Sequence, residues 1–467
     1  MRPAWRDRGS AGGPIMSRLR QARQVDKSEN SRWQLAQRKT DRPNPQGQRT
    51  RELILDAAIA LAARHGYEGT KVSMIRQATG LSASSIYWHF PDKDQLLSAA
   101  LERAFRVQAQ GTPNWLDSGP LESRREDLFA KLLAFPPADE GMDYWRFGLQ
   151  LAVVRPQTES VTRTRFLQIR SESFTWLGQW WERSLPEGME RRQEAGVLMG
   201  RLTVAIRDSS FIRRRGSEAL DERWVTWLLA GCLDAAADRL AQRGLEPGRL
   251  AETSSASAPR PKSSGEEPAG PREAFLRAAE ETIEESGYGG VTVARVCEKA
   301  GLPASSLYWS FKDKDELLAS VVADACRRWE EGRPVFVSRP ADGNWAPVLK
   351  GVLLPTVAGF ATGTSVLRLG LLLLLQRGAV PEAERRRLEQ VLQDMQDMTT
   401  QWFRTVLPEE QPDLALLPAY LSECLFRLLE GLMLSRQIDG QPWDPELLTD
   451  LVCAALFRAA VLAGQKA

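Results

Sequence analysis

The chain has 467 residues, with 62 Lys/Arg set against 60 Asp/Glu, so its net charge of +2 excludes a polyanion binder as a whole and leaves only a local basic surface. Five cysteines (Cys232, Cys297, Cys326, Cys424, Cys453) show no C-x-x-C spacing, which argues against a disulfide framework or a zinc site and fits a reducing compartment. Only two histidines occur, His65 and His89, so a His general base, a Ser/Cys–His nucleophile or a His-rich metal centre elsewhere is excluded by inventory. There is no Gly-rich phosphate loop, and an enzyme would have to rely on carboxylates alone. No cofactor or metal is implied. The longest apolar run, Leu369–Leu375, is too short to span a bilayer, and no signal peptide is read at the N-terminus.

Residues 1–48 are polar and aperiodic, with eleven Lys/Arg and four acids; they read as a disordered basic leader, with an arm reaching DNA as the functional alternative. Helix one is predicted from Arg51 to His65, with Ile54, Ala58, Leu61 and Ala62 inward. A short helix follows over Val72–Thr79. Gly80 turns the chain, Ser82 is a good N-cap, and a second short helix starts at Ala83. Asp92-Lys93-Asp94-Gln95 opens the next helix with a capping-box-like spacing. From Leu97 to about Arg243 the pattern stays helical, with no strand alternation. Seven tryptophans (Trp115, Trp145, Trp176, Trp180, Trp181, Trp224, Trp227) either pack this body's core or line an aromatic cavity. Residues 244–270 are rich in Ser, Ala, Pro, Gly and Glu and read as a flexible linker.

The chain then repeats itself. Gly80–Leu97 returns as Gly301–Leu318 at an offset of 221, with 13 of 18 residues identical. The body echoes at offset 222: Phe147-Gly148-Leu149 in Leu369-Gly370-Leu371, Arg155 in Arg377, Trp180 in Trp402. A whole unit was duplicated. In the second copy, helix one runs over Arg272–Ser286, Thr292 can cap the next helix, Gly301 makes the turn, and Pro303 starts the following helix. Two long helices end each body, Glu194–Arg215 and Glu222–Gln242 in the first, about Leu417–Ile438 and Pro445–Ala463 in the second. A pair from each would make a four-helix interface. The Leu371–Leu375 run reads as a buried helix.

The second short helix carries small residues where a packing helix would carry Leu or long charges: Ala83, Ser84 and Ser85, then Ala304, Ser305 and Ser306. Such a face can approach the major groove, where Ser bonds base edges or phosphates and Ala touches a thymine methyl. Tyr87 and Tyr308 offer phenols to phosphate, and His89 adds a donor in the first copy only. Lys93 and Lys314 stand at a helix N-terminus, where a phosphate could bridge both cation and dipole. Trp88 and Trp309 divide evenly between packing and contact.

Both stretches resemble the helix-turn-helix of the TetR family of bacterial transcription regulators. The resemblance rests on Gly66-Tyr67, Thr70, Ile75, Gly80-Leu81, Ile86-Tyr87-Trp88-His89-Phe90 and Lys93, and on Gly287-Tyr288, Thr292, Val296, Gly301-Leu302, Leu307-Tyr308-Trp309, Phe311 and Lys314. It implies an all-α fold: two tandem copies of a three-helix helix-turn-helix domain (49–98 and 271–320), each followed by a helical ligand-binding and pairing body (99–243 and 321–467). The expected function is a sequence-specific regulator in the cytoplasm, at the nucleoid: a repressor released by a small molecule, acting as a covalent pseudo-dimer. The expected partners are double-stranded DNA with two half-sites, an apolar or aromatic effector, and the two bodies of one chain for each other, with further homodimerisation left open. The DNA-facing residues so implied are Thr70, Lys71, Ser82, Ala83, Ser84, Ser85, Tyr87, Trp88, His89 and Lys93, with Thr292, Pro303, Ala304, Ser305, Ser306, Tyr308, Trp309 and Lys314. No residue set identifies the ligand. The second domain departs from the family at Ser310, where His is usual, and in charge. It has six Lys/Arg against nine acids, including Glu280, Glu281, Glu284 and Glu285 on its first helix, whereas the first domain has six against five. Acids repel phosphate, so a helical interaction scaffold whose second copy has lost DNA binding is the alternative.

Overall fold

The computed structural model describes residues 45–111, 115, 123–134, 142–155, 159–213, 220–245, 270–331, 344–362, 365–376, 380–407, 415–439 and 444–464. The leader 1–44 and the linker interior 246–269 lie outside them. Among the described residues there are eighteen α-helices, one 3-10 turn and no strand. The chain divides into two compact units, Met1–Ile54 and Leu55–Ala467; of the first, only the opening turns of one helix are described.

The helices fall into two series of nine. The first is α1 (Pro45–Gly69), α2 (Val72–Thr79), α3 (Ala83–His89), α4 (Lys93–Gly111), α5 (Arg124–Leu133), α6 (Asp143–Val153), α7 (Val161–Ser184), α8 (Arg192–Arg213) and α9 (Glu222–Arg243). The second repeats it as α10 (Pro271–Ser286), α11 (Val293–Ala300), α12 (Ala304–Ser310), α13 (Lys314–Glu331), α14 (Ala346–Thr362), α15 (Ser365–Leu375), α16 (Glu382–Val406), α17 (Leu417–Asp439) and α18 (Pro445–Gly464). The apolar 371–375 run is inside α15, and Leu369, Leu371, Leu372, Leu373 and Leu375 are all buried. Helix α1 starts at Pro45, six residues before the sequence-based boundary. Apolar periodicity is absent from that polar turn, but Pro suits a first helical position, and the Thr50 hydroxyl donates to the Gln46 carbonyl at 2.9 Å.

Each body ends in a helix pair, and the two pairs pack on each other: α8 against α17 and α9 against α18. Leu202, Ile206 and Leu233 from one copy meet Leu428, Leu432 and Leu451 from the other around a small apolar void of about 20 Å³. Charges are buried across this contact between the pairs. Arg427 on α17 donates to both oxygens of Glu222 at the start of α9, at 2.7 and 2.8 Å, and to Glu423 at 2.7 Å. Arg213 on α8 reaches Glu430 at 2.5 Å, Gln396 at 2.6 Å and Glu423 at 3.3 Å. Removing one member of such a cluster would strand the others without water.

The helix-turn-helix units are seated by two glutamines. Gln150 on α6 donates to the Ala63 carbonyl of α1 at 2.7 Å and to the Leu375 carbonyl of α15 at 3.0 Å. The Gln376 side-chain oxygen accepts from the Tyr288 N–H at 2.7 Å. Gly66 and Gly287, equivalent positions with φ of 73° in both, flank that same Gln376 amide. A Cβ would come within 2.7 Å of it at Gly66 and 2.3 Å at Gly287. Glycine is required there twice over, by backbone sign and by space.

Three tryptophans of the first body are core. Trp145, Trp180 and Trp181 are buried, and their indole N–H groups donate to Asp208 (2.8 Å), Asp127 (3.0 Å) and Thr203 (2.8 Å). Trp224 and Trp227 stack on one another 4.7 Å apart, and Trp176 is exposed. The small void between the two helix pairs has no tryptophan in its lining.

Candidate nucleic-acid interface

In the first copy the α2–α3 angle is made by Gly80, in the left-handed region (φ 71°, ψ 7°), whose N–H closes α2 on the Arg76 carbonyl at 2.8 Å. Ser82 then caps α3: its hydroxyl accepts from the Ser85 N–H at 3.1 Å. Ile75 and Ile86 are the buried anchors of the two helices. The second copy repeats this with Gly301 (φ 66°), Val296 and Leu307. Thr292 caps α11 as expected, accepting from the Arg295 N–H at 3.3 Å. Pro303 is the N-cap of α12 rather than its first residue and offers no side-chain cap. The next helices are capped by Asp92, which accepts from Gln95 N at 2.8 Å, and by Asp313, which accepts from Glu316 N at 2.9 Å. Glu316 reaches back to the Lys312 N–H at 2.6 Å.

On the outer face of α3, Ser84, Tyr87 and Trp88 are exposed, Ser82 is exposed at the cap, and Ala83, Ser85 and His89 are half-buried. The Ser85 hydroxyl lies 2.9 Å from that of Ser82. On α12, Pro303, Ala304, Ser305, Tyr308 and Trp309 are exposed and Ser306 is half-buried. The indoles do not pack: Trp88 is 71% exposed and Trp309 91%. One-turn spacing explains this, since Ile86 and Leu307 use the only inward position on helices of seven residues.

One expected residue needs correction, and two are engaged within the chain. Thr70 is fully buried, and its hydroxyl donates to the Gly66 carbonyl at 2.7 Å, so it closes the end of α1 and faces no solvent. Its positional equivalent is the buried Val291, whereas Thr292 matches the exposed Lys71. Lys93 turns back onto the end of α1, 3.8 Å from Glu68 and 4.4 Å above the Tyr67 ring. Burial lowers the pKa of this ammonium, with Glu68 and Asp94 opposing. Lys314 likewise donates to the Val291 carbonyl at 3.3 Å. The two lysines tie α4 and α13 to the turn before the helix-turn-helix, a role that their spacing alone does not reveal.

Sequence reasoning also missed Arg76. It is exposed on α2, one turn from Lys71, and neither has a hydrogen-bond or ion-pair partner among the described residues. The equivalents in the second copy are Cys297 and Thr292, so both cations are lost. The second copy's own charges are consumed internally. Lys299 pairs with Glu285 at 2.8 Å and Glu281 at 3.5 Å, and Arg328 with Glu280 at 2.8 Å. Its acidic first helix is therefore largely neutralised in place, but so is the lysine that α11 could have offered.

Two short-turn-short helix pairs, each exposing small polar and aromatic residues and each set on a helical body, make this a tandem helix-turn-helix protein. Residues 54–100 and 275–321 both match the family model described as bacterial regulatory proteins, tetR family. Over 57 residues the chain is 40% identical to the HTH-type transcriptional regulator AcrR of Shigella flexneri, 12% of this chain and 26% of that protein. Over 68 residues it is 41% identical to the HTH-type transcriptional repressor AcnR of Corynebacterium efficiens, 14% and 36% respectively. Over 107 residues it is 30% identical to the HTH-type transcriptional regulator RutR of Escherichia coli, 23% and 43%. The chain thus spans well under half the length of these curated relatives. What it carries is a tandem duplication with two TetR-type helix-turn-helix domains.

Proposed function

We propose that the chain is a sequence-specific DNA-binding transcription regulator, a repressor released by a small-molecule effector, that acts as a covalent pseudo-dimer. The observation that carries this reading is the repeated exposure of Tyr87-Trp88 and Tyr308-Trp309 on otherwise small, polar helices. An aromatic surface left in water in both copies is unexpected unless a partner covers it. In this reading α3 enters the major groove, Ser84 and Ala83 approach base edges, and Tyr87, Lys71 and Arg76 take phosphates. Lys93 joins them by exchanging the Glu68 carboxylate for a phosphate oxygen. Packing of α8 and α9 on α17 and α18 would hold the two domains for two half-sites about one helical turn, roughly 34 Å, apart or more.

Selection of bound duplexes from a random library by the intact chain, at near-physiological salt, tests it. Two half-sites at fixed spacing are expected, unequal where Ser82 and His89 differ from Pro303 and Ser310. A single half-site would favour a second reading, in which the second copy has lost DNA contact and serves pairing or sensing; the replacement of Lys71 and Arg76 by Thr292 and Cys297 supports it. No enrichment at all would reject the regulator in favour of a helical interaction scaffold.

A further inference from the structure

A cavity of about 330 Å³ opens between α7 and α8 of the first body and the last turn of α17 from the second. Its walls are mostly apolar, from Leu167, Phe174, Val197 and Ile438, with Arg201 and Asp439 as the charged groups. The two are not each other's partners. Asp439 is held by Arg170 at 2.7 and 3.1 Å and by the Ser435 hydroxyl at 2.8 Å. Arg201 has no hydrogen-bond or ion-pair partner among the described residues; its Nε is buried unpaired, and its guanidinium lies 5.9 Å from the Phe174 ring. Burial pulls its pKa down, with the Asp439 carboxylate, itself held by Arg170, opposing.

The second copy holds the matching position and has closed it. At offset 222, Glu423 stands for Arg201, Gln396 for Phe174 and Arg213 for Ser435. There Glu423 accepts from Gln396 at 2.8 Å and from Arg213 at 3.3 Å, and all of it is internal. The closing arginine comes across the interface from the first body; at the Arg201 cavity its counterpart from the second body is Ser435, which is short and bonds Asp439 instead. One half of a charge pair is missing, and a cavity stands where it would be.

We propose that this cavity binds a small organic anion, a carboxylic acid with an apolar or aromatic body, and that Arg201 is its counter-ion. The volume is at the lower end of small-molecule sites, which bind by apolar walls and a few polar groups. The anion takes the role in the first copy that Glu423 has relative to Arg213 in the second. The ligand touches both bodies at once, so it favours whichever arrangement of the bodies keeps the cavity open. In this respect the proposal rests on the effector-released repressor reading above and supplies its site and ligand class.

Titration of the full-length protein with benzoate, 1-naphthoate and decanoate, each beside its neutral amide, followed by calorimetry, tests the site. At least one acid is expected to bind with 1:1 stoichiometry and about tenfold or more tighter than its amide, since the amide leaves Arg201 without an anion. Arg201→Gln should erase that preference. The triple variant F174Q/R201E/S435R, which copies the residues of the equivalent closed site (Gln396, Glu423 and Arg213), should abolish binding with an unchanged melting temperature. No saturable binding of any acid at about 1 mM, equal binding of acid and amide, or undiminished acid binding by Arg201→Gln would overturn the proposal. The same titrations on the DNA-bound protein separate the two ideas. Acid binding that leaves DNA affinity unchanged keeps the site and rejects effector release; DNA binding with no acid binding rejects the site alone.

Discussion

The two copies share nine helices and both bury ion pairs, Arg170 with Asp208 in the first and Arg427 with Glu423 in the second, but at a few positions they differ in where charge goes. The first turns cations outward: Lys71 and Arg76 stand exposed on the helix-turn-helix, and Arg201 faces a cavity. The second turns charge inward, in Lys299 with Glu281 and Glu285, in Arg328 with Glu280, and in Glu423 with Arg213 and Arg427. The same fold can thus present charge to ligands or use it to fix its own helices. Duplication makes this possible, because one copy can be frozen while the other keeps unsatisfied groups for a partner.

The largest test of that contrast is on stability. Arg427→Ala takes one of two cations from the buried Glu423 and one from the partly exposed Glu222, and should lower unfolding free energy by about 2–4 kcal/mol. Arg201→Ala removes a cation with no such partners and should change it by less than about 0.5 kcal/mol. Urea melts of both variants check this, and similar losses would mean that Arg201 is structural after all. The effect of acid comes next. Burial raises the Glu423 carboxyl, but Arg213 and then Arg427 overcome it and take the pKa from 4.5 to about 2. A depressed carboxyl contributes stability that is full above pH 4.5 and lost as pH falls toward 2, here about 3 kcal/mol. Glu430 acts oppositely: burial raises its pKa, so its contribution is present below pH 4.5 and fades as pH climbs through its raised value. Stability should therefore fall on the acid side of 4.5, and Glu423→Gln should flatten that limb in pH-dependent melts. A limb left as steep would place the acid sensitivity elsewhere.

Transplanting the outward charges tests DNA binding. Lys71→Ala with Arg76→Ala should reduce the salt slope by about 2, and affinity by roughly 1–3 kcal/mol, for all sequences alike. The reverse change, Thr292→Lys with Cys297→Arg, should steepen the slope by a similar amount if α11 lies against DNA. An unchanged slope in the second variant would mean that the second domain stands off the duplex.

Repeat, turn and cap were legible in the sequence because each is a local choice of residue. Gly80 and Gly301 need a left-handed turn, and Ser82 and Thr292 sit one residue before their helices. The helix pairs that end the two bodies were readable to within about two residues for the same reason. The facing of single residues was not. Thr70 and Lys71 are adjacent, one buried and one exposed, and nothing in their spacing says which. Lys93 looked like a phosphate ligand until Glu68 and Tyr67 were found beneath it. Least legible were contacts more than 200 positions apart, such as Arg213 with Glu423 and Glu430, or Gln150 with Leu375. Local periodicity cannot carry them, and the cavity at Arg201 exists only through them.

The smallest difference between the copies is at the cap of the exposed helix. Ser82 gives α3 a side-chain acceptor for the Ser85 N–H, while Pro303 gives α12 none. Ser82→Ala should therefore cost about 1 kcal/mol in local helix stability, and Pro303→Ser should gain somewhat less, because the proline also restrains the unfolded chain. Native-state hydrogen exchange at the Ser85 and Ser306 amides reads these ends without requiring global unfolding. Faster exchange at Ser85 and slower exchange at Ser306 are expected. If Pro303→Ser leaves Ser306 unchanged, proline stiffness already does for α12 what the serine hydroxyl does for α3. The two exposed helices would then be equally ordered, and any difference in their DNA contact would have to come from Lys71 and Arg76, which Thr292 and Cys297 replace.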